Sequence, residues 1–131
     1  NSEYPIYYRK NIINNFEEII LDCEKKSKKH TYFNVASISH SHNHKYVAYN
    51  VDTNGSEYFS IFIEDIETKK TLSREIKNTT GEIIWSLDNN YIFYIGLDEN
   101  HRPTKVFKHE IPDYSDCILF ELRKKTKRLF Y

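Results

Sequence analysis

The sequence is poor in the residues that build sharp functional loops. Its 131 residues include no methionine, three glycines, three prolines and two cysteines. With so few glycines, and no G-x-S-x-G stretch, neither a phosphate-binding loop nor a nucleophile elbow can be formed. Cys23 and Cys117 lack C-x-x-C spacing and a zinc-ligand pattern, so we expect free thiols in a reducing compartment. The missing methionine predicts that the chain is a piece of a longer protein.

Charge and hydropathy narrow the possible partners. Lys plus Arg (19) equal Asp plus Glu (19), so the formal net charge is zero and no general attraction to nucleic acid or to an anionic membrane is encoded. No apolar run approaches the roughly 18 to 20 residues of a membrane span, and no signal-peptide pattern opens the chain. We therefore expect a cytoplasmic protein that binds neither nucleic acid nor membrane.

Aromatic residues are abundant, with 11 Tyr and 8 Phe, and they are arranged as strands. The stretch Lys45–Asp65 predicts a β-hairpin, since two apolar runs flank the turn at Asn54-Gly55. Tyr46–Tyr49 recurs 45 residues later as Tyr91–Tyr94. A repeat of this length made of short strands is typical of a β-propeller, in which each blade is a four-stranded sheet that needs neighbours to cover its faces.

The fold class predicted is all-β: a β-propeller fragment of about two and a half blades, each a four-stranded antiparallel sheet. The propeller part spans residues 1–122 and is followed by a basic tail. Within it we expect the end of one blade, a full blade and the next blade, at residues 1–30, 31–77 and 78–122, with the tail at 123–131. The predicted strands are 3–10, 17–21, 33–39, 45–52, 57–65, 71–76, 81–86, 90–97, 104–111 and 117–122.

Two segments allow more than one interpretation. Apolar residues between Ile12 and Cys23 recur at intervals of three and four, so a helix over 11–28 competes with the favoured strand Glu17–Leu21. The tail contains a short basic run that could attract an anionic partner, although a solvated end is the simpler interpretation. This run consists of Lys124, Lys125, Lys127 and Arg128.

Histidines are the candidate metal ligands. His40, His42 and His44 alternate, and on an extended strand all three imidazoles would share one face, where they could bind Zn or Cu. However, the segment aligns with the turn at Asp88 of the next repeat, so a polar turn is favoured over a metal site. His101 and His109 have no ligand-spaced companion. No metal or cofactor is therefore assigned.

Serine and aspartate are the candidate catalytic groups. Ser39, Ser41 and Ser86 occupy predicted strand and turn positions, with no activating base in a recognisable motif. Asp52 and Asp98 end equivalent strands and could act as a general acid or base. Acceptance of backbone N–H bonds within their own turns is the favoured role. No catalytic residue is therefore assigned.

The large aromatic residues are expected to pack between blades. Trp85 lies on a predicted first strand and is interpreted as core rather than as a ligand platform. Tyr46, Tyr49, Tyr91 and Tyr94 occupy repeated positions, and we expect their rings to fill the inter-blade space with their hydroxyls at the rim.

The chain also resembles a known family over nearly all of residues 3–121. The most specific segments are Tyr46–Tyr49 with Asp52, Trp85 followed by Asp88-Asn89, and Leu97–Pro103 followed by Lys105–Phe107. With the opening EYPIYYRK, they are similar to the early propeller of oligopeptidase B in the prolyl oligopeptidase family. Where that family usually has Ser-Pro-Asp-Gly, this chain has SHNH at 41–44.

The resemblance implies a non-catalytic role for this chain. Members of the family are cytosolic serine peptidases in which a propeller covers a hydrolase domain that holds a Ser, Asp and His triad. The resemblance implies cleavage of short peptides after Lys or Arg and exclusion of folded proteins by the propeller. No triad residue carries over, so the chain alone is expected to be inert. Its implied partners are the hydrolase domain and the remaining blades, with short basic peptides for the parent.

Two other functions stay open. The chain could be an independent β-propeller-type module that binds a protein partner, or a histidine-bound metal protein. For the peptidase-family fragment, the sheet faces and strand edges that a partial propeller leaves uncovered predict self-association.

Overall fold

The computed structural model describes residues 4–111 and 116–121, and in these residues the chain forms ten strands and one short helix. All strand pairs are antiparallel. The elements are β1 Ile6–Lys10, β2 Glu17–Asp22, α1 Cys23–Ser27, β3 Asn34–His40, β4 Tyr46–Asp52, β5 Phe59–Asp65, β6 Ile76–Thr79, β7 Ile84–Trp85, β8 Tyr91–Leu97, β9 Pro103–Glu110 and β10 Asp116–Glu121.

The strands form two sheets. β1 and β2 pair only with each other among the described residues, whereas the other eight strands form one sheet in the order β10-β9-β8-β6-β5-β4-β3, with β7 also on β8. The all-β prediction is confirmed. Between β6 and β8 the two repeats of the large sheet meet at Thr79, which is opposite Gly96, and the backbone N–H of Thr80 donates to the carbonyl of Ile95.

One cross-strand aromatic pair recurs at equivalent positions of the two repeats. Tyr49 pairs with Phe62 across β4 and β5, and their rings stack with centroids 5.5 Å apart. Forty-five residues on, Tyr94 pairs with Phe107 across β8 and β9, and their rings stack at 5.0 Å. The predicted repeat is therefore a structural repeat.

The turn before each hairpin is repeated down to its hydrogen bonds. Ser41 Oγ donates to Asn43 Oδ1 and accepts from the backbone N–H of Tyr46. Ser86 donates in the same way to Asp88 and accepts from the backbone N–H five residues on. Each serine thus fixes the entry into a long strand by a side-chain bond to a local backbone group.

Alternation along β4 divides the core into two clusters. Ala48 faces the second repeat and packs in a cluster with Ile61, Ile63 and Trp85. Tyr49 and Val51 lie on the opposite face of β4 and pack with residues from β2 and α1. Successive side chains of a strand point to opposite faces, so β4 is covered on both sides. This is the packing that adjacent blades require.

The helix predicted as an alternative over 11–28 is wrong. The favoured strand forms as β2, and only Cys23–Ser27 is helical, with the Asp22 carboxylate capping it by accepting from the backbone N–H of Lys25. Residues 11–16 instead make the β1–β2 turn, closed by the bond from Asn11 N–H to the carbonyl of Phe16. The helical spacing came from a turn and a strand whose apolar residues coincided with that period.

The outer strand of the full blade is displaced from its predicted position. The prediction was 71–76, but only an isolated bridge of Thr71 to Glu64 forms there, and β6 covers Ile76–Thr79. Ile76 and Thr79 are the buried members of this strand, so burial rather than the preceding polar run sets its place. The strand predicted at 81–86 is likewise reduced to β7, because only Ile84 and Trp85 pair with β8, opposite Phe93 and Ile92.

At the C-terminal end, β10 ends at Glu121, within one residue of each predicted bound. The basic tail predicted at 123–131 lies outside the described residues, and so do the side chain and thiol of Cys117. Among the described residues no helix is long and apolar enough to cross a membrane.

Candidate functional site

The innermost strands of the two repeats are joined by Trp85. Its ring is buried, stacks on Tyr46 with centroids 6.1 Å apart, and its Nε1–H donates to the carbonyl of Ser39 at 3.0 Å. The assignment of Trp85 to core between blades is confirmed. Because every buried polar N–H needs an acceptor, this contact also fixes the distance between β3 and β7.

A buried polar chain runs beside it. Thr79 Oγ1 donates to Asn50 Oδ1 at 2.9 Å, and both side chains are fully buried. Asn50 Nδ2 contacts Ser37 Oγ at 3.4 Å, and Ser37 donates to the carbonyl of Gly81 at 2.7 Å. The groups satisfy one another, which is the usual structural role of buried polar residues, and they hold the repeats in register.

The alternating histidines do not lie on one extended strand. His40 ends β3, and His44 adopts a left-handed φ of 64° in the turn that follows. The His40 and His44 rings lie 4.9 Å apart, and His40 Nδ1 contacts the carbonyl of Ser41. The favoured turn is therefore present at this position. No group of three or more metal-ligating side chains occurs in the part of the chain that the structure describes.

The other candidate histidines serve as packing groups. His101 packs edge-on against Tyr58 with ring centroids 4.7 Å apart, and its Nε2 contacts the carbonyl of Glu57. His109 is fully buried in β9, opposite Ile92.

The candidate aspartates are turn residues. Asp52 accepts the backbone N–H groups of Asn54, Gly55 and Glu57 within 2.8 to 3.1 Å. Burial alone would raise the pKa of Asp52, but these donors outweigh it and lower the pKa below its usual range. Asp98 accepts backbone N–H groups in the equivalent turn. The favoured turn role is confirmed for both.

A groove of about 580 Å³ lies beside several charged side chains. It separates β2 and α1 from the face of β4 and β5. Its floor is apolar and its rim carries four lysines and one histidine. The lining includes Ile19, Ile20, Leu21, Asp22, Lys25, Lys26, Lys29, His30, Phe33, Tyr49, Val51, Phe62, Glu64, Lys69 and Thr71.

The buried carboxylate of Glu64 connects the two walls of this groove. Glu64 Oε2 accepts from Lys26 Nζ at 2.7 Å and from the Tyr49 hydroxyl at 2.8 Å. The Tyr49 hydroxyl therefore lies in the interior, which corrects the prediction that it would be at the rim. Burial, and then the nearby charge of Glu64, raise the pKa of Tyr49 well above its usual range. Burial, followed by Asp22, raises the pKa of the Cys23 thiol to about 11.

Sequence reasoning missed Glu64. It directly follows the apolar run Ile61–Ile63 of β5 and lies 45 residues before His109, which is also buried. A polar residue at the inward position of a strand, repeated in the next blade, was the available signal. Its partner Lys26 is 38 residues away, so the pair itself was not visible from the sequence.

Comparison with known proteins identifies the family of this chain. Residues 1–131 match the family described as the prolyl oligopeptidase N-terminal β-propeller domain. The chain belongs to the prolyl oligopeptidase family. It is 30% identical to Protease 2 of Moraxella lacunata across 99% of the chain, and 26% identical to dipeptidyl aminopeptidase BI of Pseudoxanthomonas mexicana across 80% of the chain. These alignments span 20% and 15% of the two relatives, so the chain corresponds to about a fifth of such an enzyme or less.

Solved structures of the prolyl oligopeptidase family agree with the β-propeller fold. Oligopeptidase B from Leishmania major superposes with a TM-score of 0.77 at 28% identity, over 82% of this chain and 16% of that one. Oligopeptidase B from Trypanosoma brucei, in a closed form with bound antipain, gives 0.70 at 28% identity, over 82% of this chain and 15% of that one. The resemblance inferred from the sequence is confirmed: the chain is part of the β-propeller domain of a peptidase family.

Proposed function

We propose that the chain is the non-catalytic propeller portion of an oligopeptidase B-like serine peptidase that cleaves short peptides after Lys or Arg. In this role the blades limit access to a hydrolase active site supplied by other parts of the parent. The parent works in the cytoplasm. The partners of the chain are therefore that hydrolase domain and the remaining blades.

The observation that carries the proposal is the match of the whole chain to the propeller domain of this family. The geometry is consistent with an inert scaffold. Ser41 donates to Asn43 and Ser86 donates to Asp88, so both hydroxyls bond within their own turns. Asp52 and Asp98 are occupied by backbone donors.

The test compares the parent with the chain. A fluorogenic peptide with Arg before the cleaved bond is offered to the purified 131-residue chain and to the protein read from the complete gene. We expect turnover by the complete protein only, and a G-x-S-x-G-G stretch in its sequence downstream. Turnover by the pure chain would refute its inertness. A complete gene without a hydrolase segment would favour the independent binding module.

Self-association is part of the proposal. The β1–β2 turn exposes Ile12 and Ile13, at 90% and 91%, together with Phe16. Its backbone is nevertheless well defined, since Asn11 and Asn15 are hydrogen-bonded within it. Exposed apolar surface of this kind favours association. Sedimentation should show dimers or larger species at high concentration, and Ile12→Ser with Ile13→Ser should shift them to monomer. A strict monomer before any substitution would contradict this.

A further inference from the structure

The groove between β2–α1 and β4–β5 has a backbone edge along one wall. Four consecutive residues, Ile19 to Asp22, line it. Side chains of a strand alternate between faces, so consecutive lining residues mean that the strand presents its edge. β2 is paired with β1 along its other edge, and no further described strand pairs with β2. An added strand would have to displace Lys69 Nζ, which donates to the carbonyl of Ile19. An extended segment could therefore add to this edge by main-chain hydrogen bonds.

The floor of the groove favours apolar side chains. Leu21, Phe33, Tyr49 and Val51 are each at most 7% exposed, and Phe62 stacks on the Tyr49 ring. A volume of about 580 Å³ lies in the range of clefts that hold compact ligands, roughly 300 to 1,000 Å³. Alternate residues of an added strand would point into this floor.

The charge of the lining selects an acidic segment. Four lysines line the groove against two carboxylates, although the whole chain is neutral. Both carboxylates are engaged, Asp22 with the N-terminus of α1 and Glu64 with Lys26. Lys25 and Lys29 stand exposed on the rim, so the unbalanced charge is positive. Complementary charge gives orientation and selectivity to such a contact.

We propose that this groove binds an extended peptide segment that carries both acidic and apolar residues, added as a strand to the edge of β2. This groove would not bind the basic peptides that are proposed as substrates of the parent, because its positive charge would repel them. It uses residues of this chain alone.

Fluorescence anisotropy with the full chain tests the proposal. The probe is fluorescein-labelled Glu-Leu-Glu-Leu-Glu, compared with Lys-Leu-Lys-Leu-Lys, with Glu-Ser-Glu-Ser-Glu and with an acidic probe N-methylated at alternate residues. We expect binding of the first probe only, weakened by added salt. Equal binding of the basic probe, or undiminished binding of the N-methylated one, would overturn the strand-addition proposal. Binding of laurate without binding of any peptide would overturn it as well.

Matched variants locate the contact. Lys25→Glu and Lys29→Glu change exposed rim residues, and Lys28→Glu changes an exposed lysine of the same segment that does not line the groove. Since exposed ion pairs are individually weak, each rim variant should raise Kd about threefold and the pair about tenfold. Thr71→Trp, which fills the groove from an exposed position, should abolish binding. An equal loss with Lys28→Glu, or full binding by Thr71→Trp with its circular dichroism unchanged, would overturn the assignment.

Discussion

Replacing Lys26 by Met tests the contact that joins the first, partial blade to the next. Lys26 lies on α1, and its ammonium group is bonded at 2.7 Å to Glu64 on β5. Methionine keeps the apolar stem of the lysine but removes its charge. Glu64 would then remain in an interior site with the Tyr49 hydroxyl as its donor. The substitution therefore isolates the ion pair from the packing around it.

The size of the effect follows from the exposure of the two partners. Removing one partner of a fully buried pair costs about 3 to 5 kcal/mol, whereas an exposed pair contributes about 0 to 1 kcal/mol. The Glu64 side chain is 9% exposed, but that of Lys26 is 35% exposed, so water screens the pair from one side. We expect Lys26→Met to lower the free energy of unfolding by about 1 to 2 kcal/mol.

Urea unfolding followed by circular dichroism measures the change. Lys25→Met is the matched control on the same helix, and an exposed substitution of this kind should stay within about 0.5 kcal/mol. A double-mutant cycle with Glu64→Gln should return a coupling of about 1 kcal/mol, provided that the urea m-value is unchanged. If Lys26→Met costs no more than Lys25→Met, or if the coupling is zero, the contact between these blades contributes nothing.

Three further predictions concern the repeats. Gly96→Ala should destabilise the chain by about 1 to 3 kcal/mol in the same urea assay, because its Cβ would lie 2.8 Å from the Phe107 ring; no loss would show that the stack adjusts freely. Thr79→Val should cost about 1 to 3 kcal/mol by removing the donor to buried Asn50, and a neutral result would contradict that role. Because the pKa of Asp52 is lowered in the folded chain, its ionised carboxylate stabilises the fold above the usual carboxyl pKa, and this stabilisation is lost as pH falls through the lowered pKa. Between pH 6 and 2 the free energy of unfolding should therefore decline less steeply for Asp52→Asn than for the unsubstituted chain. Parallel curves for the two proteins would refute this role of Asp52.

The hairpins were predictable because each is specified locally. The stretch around Asn54-Gly55 has a turn with alternating apolar runs on both sides, and its recurrence 45 residues later gave a second, independent signal. The matched stacking of Tyr49 on Phe62 and of Tyr94 on Phe107 is the structural counterpart of that recurrence. Their positions needed no knowledge of the tertiary fold.

The outer strand and the groove were not predictable in the same way. β6 has only Ile76 and Thr79 buried, so its sequence shows no clear alternation, and its place depends on pairing with β5. The groove depends on how α1 is seated against β5, through Lys26 and Glu64, which are far apart in the sequence. Local patterns specify single hairpins, whereas packing between blades is a long-range property.

The central claim is that successive blades stack directly on one another, and the indole N–H of Trp85 tests it most directly. Trp85 is the single tryptophan of the sequence, so its indole proton gives one resolved NMR signal. We expect this proton to exchange slowly with solvent, because it is bonded to the carbonyl of Ser39, and to show nuclear Overhauser contacts to the Tyr46 ring. Rapid exchange, with contacts only to residues near Trp85 in sequence, would contradict the stacked-blade architecture.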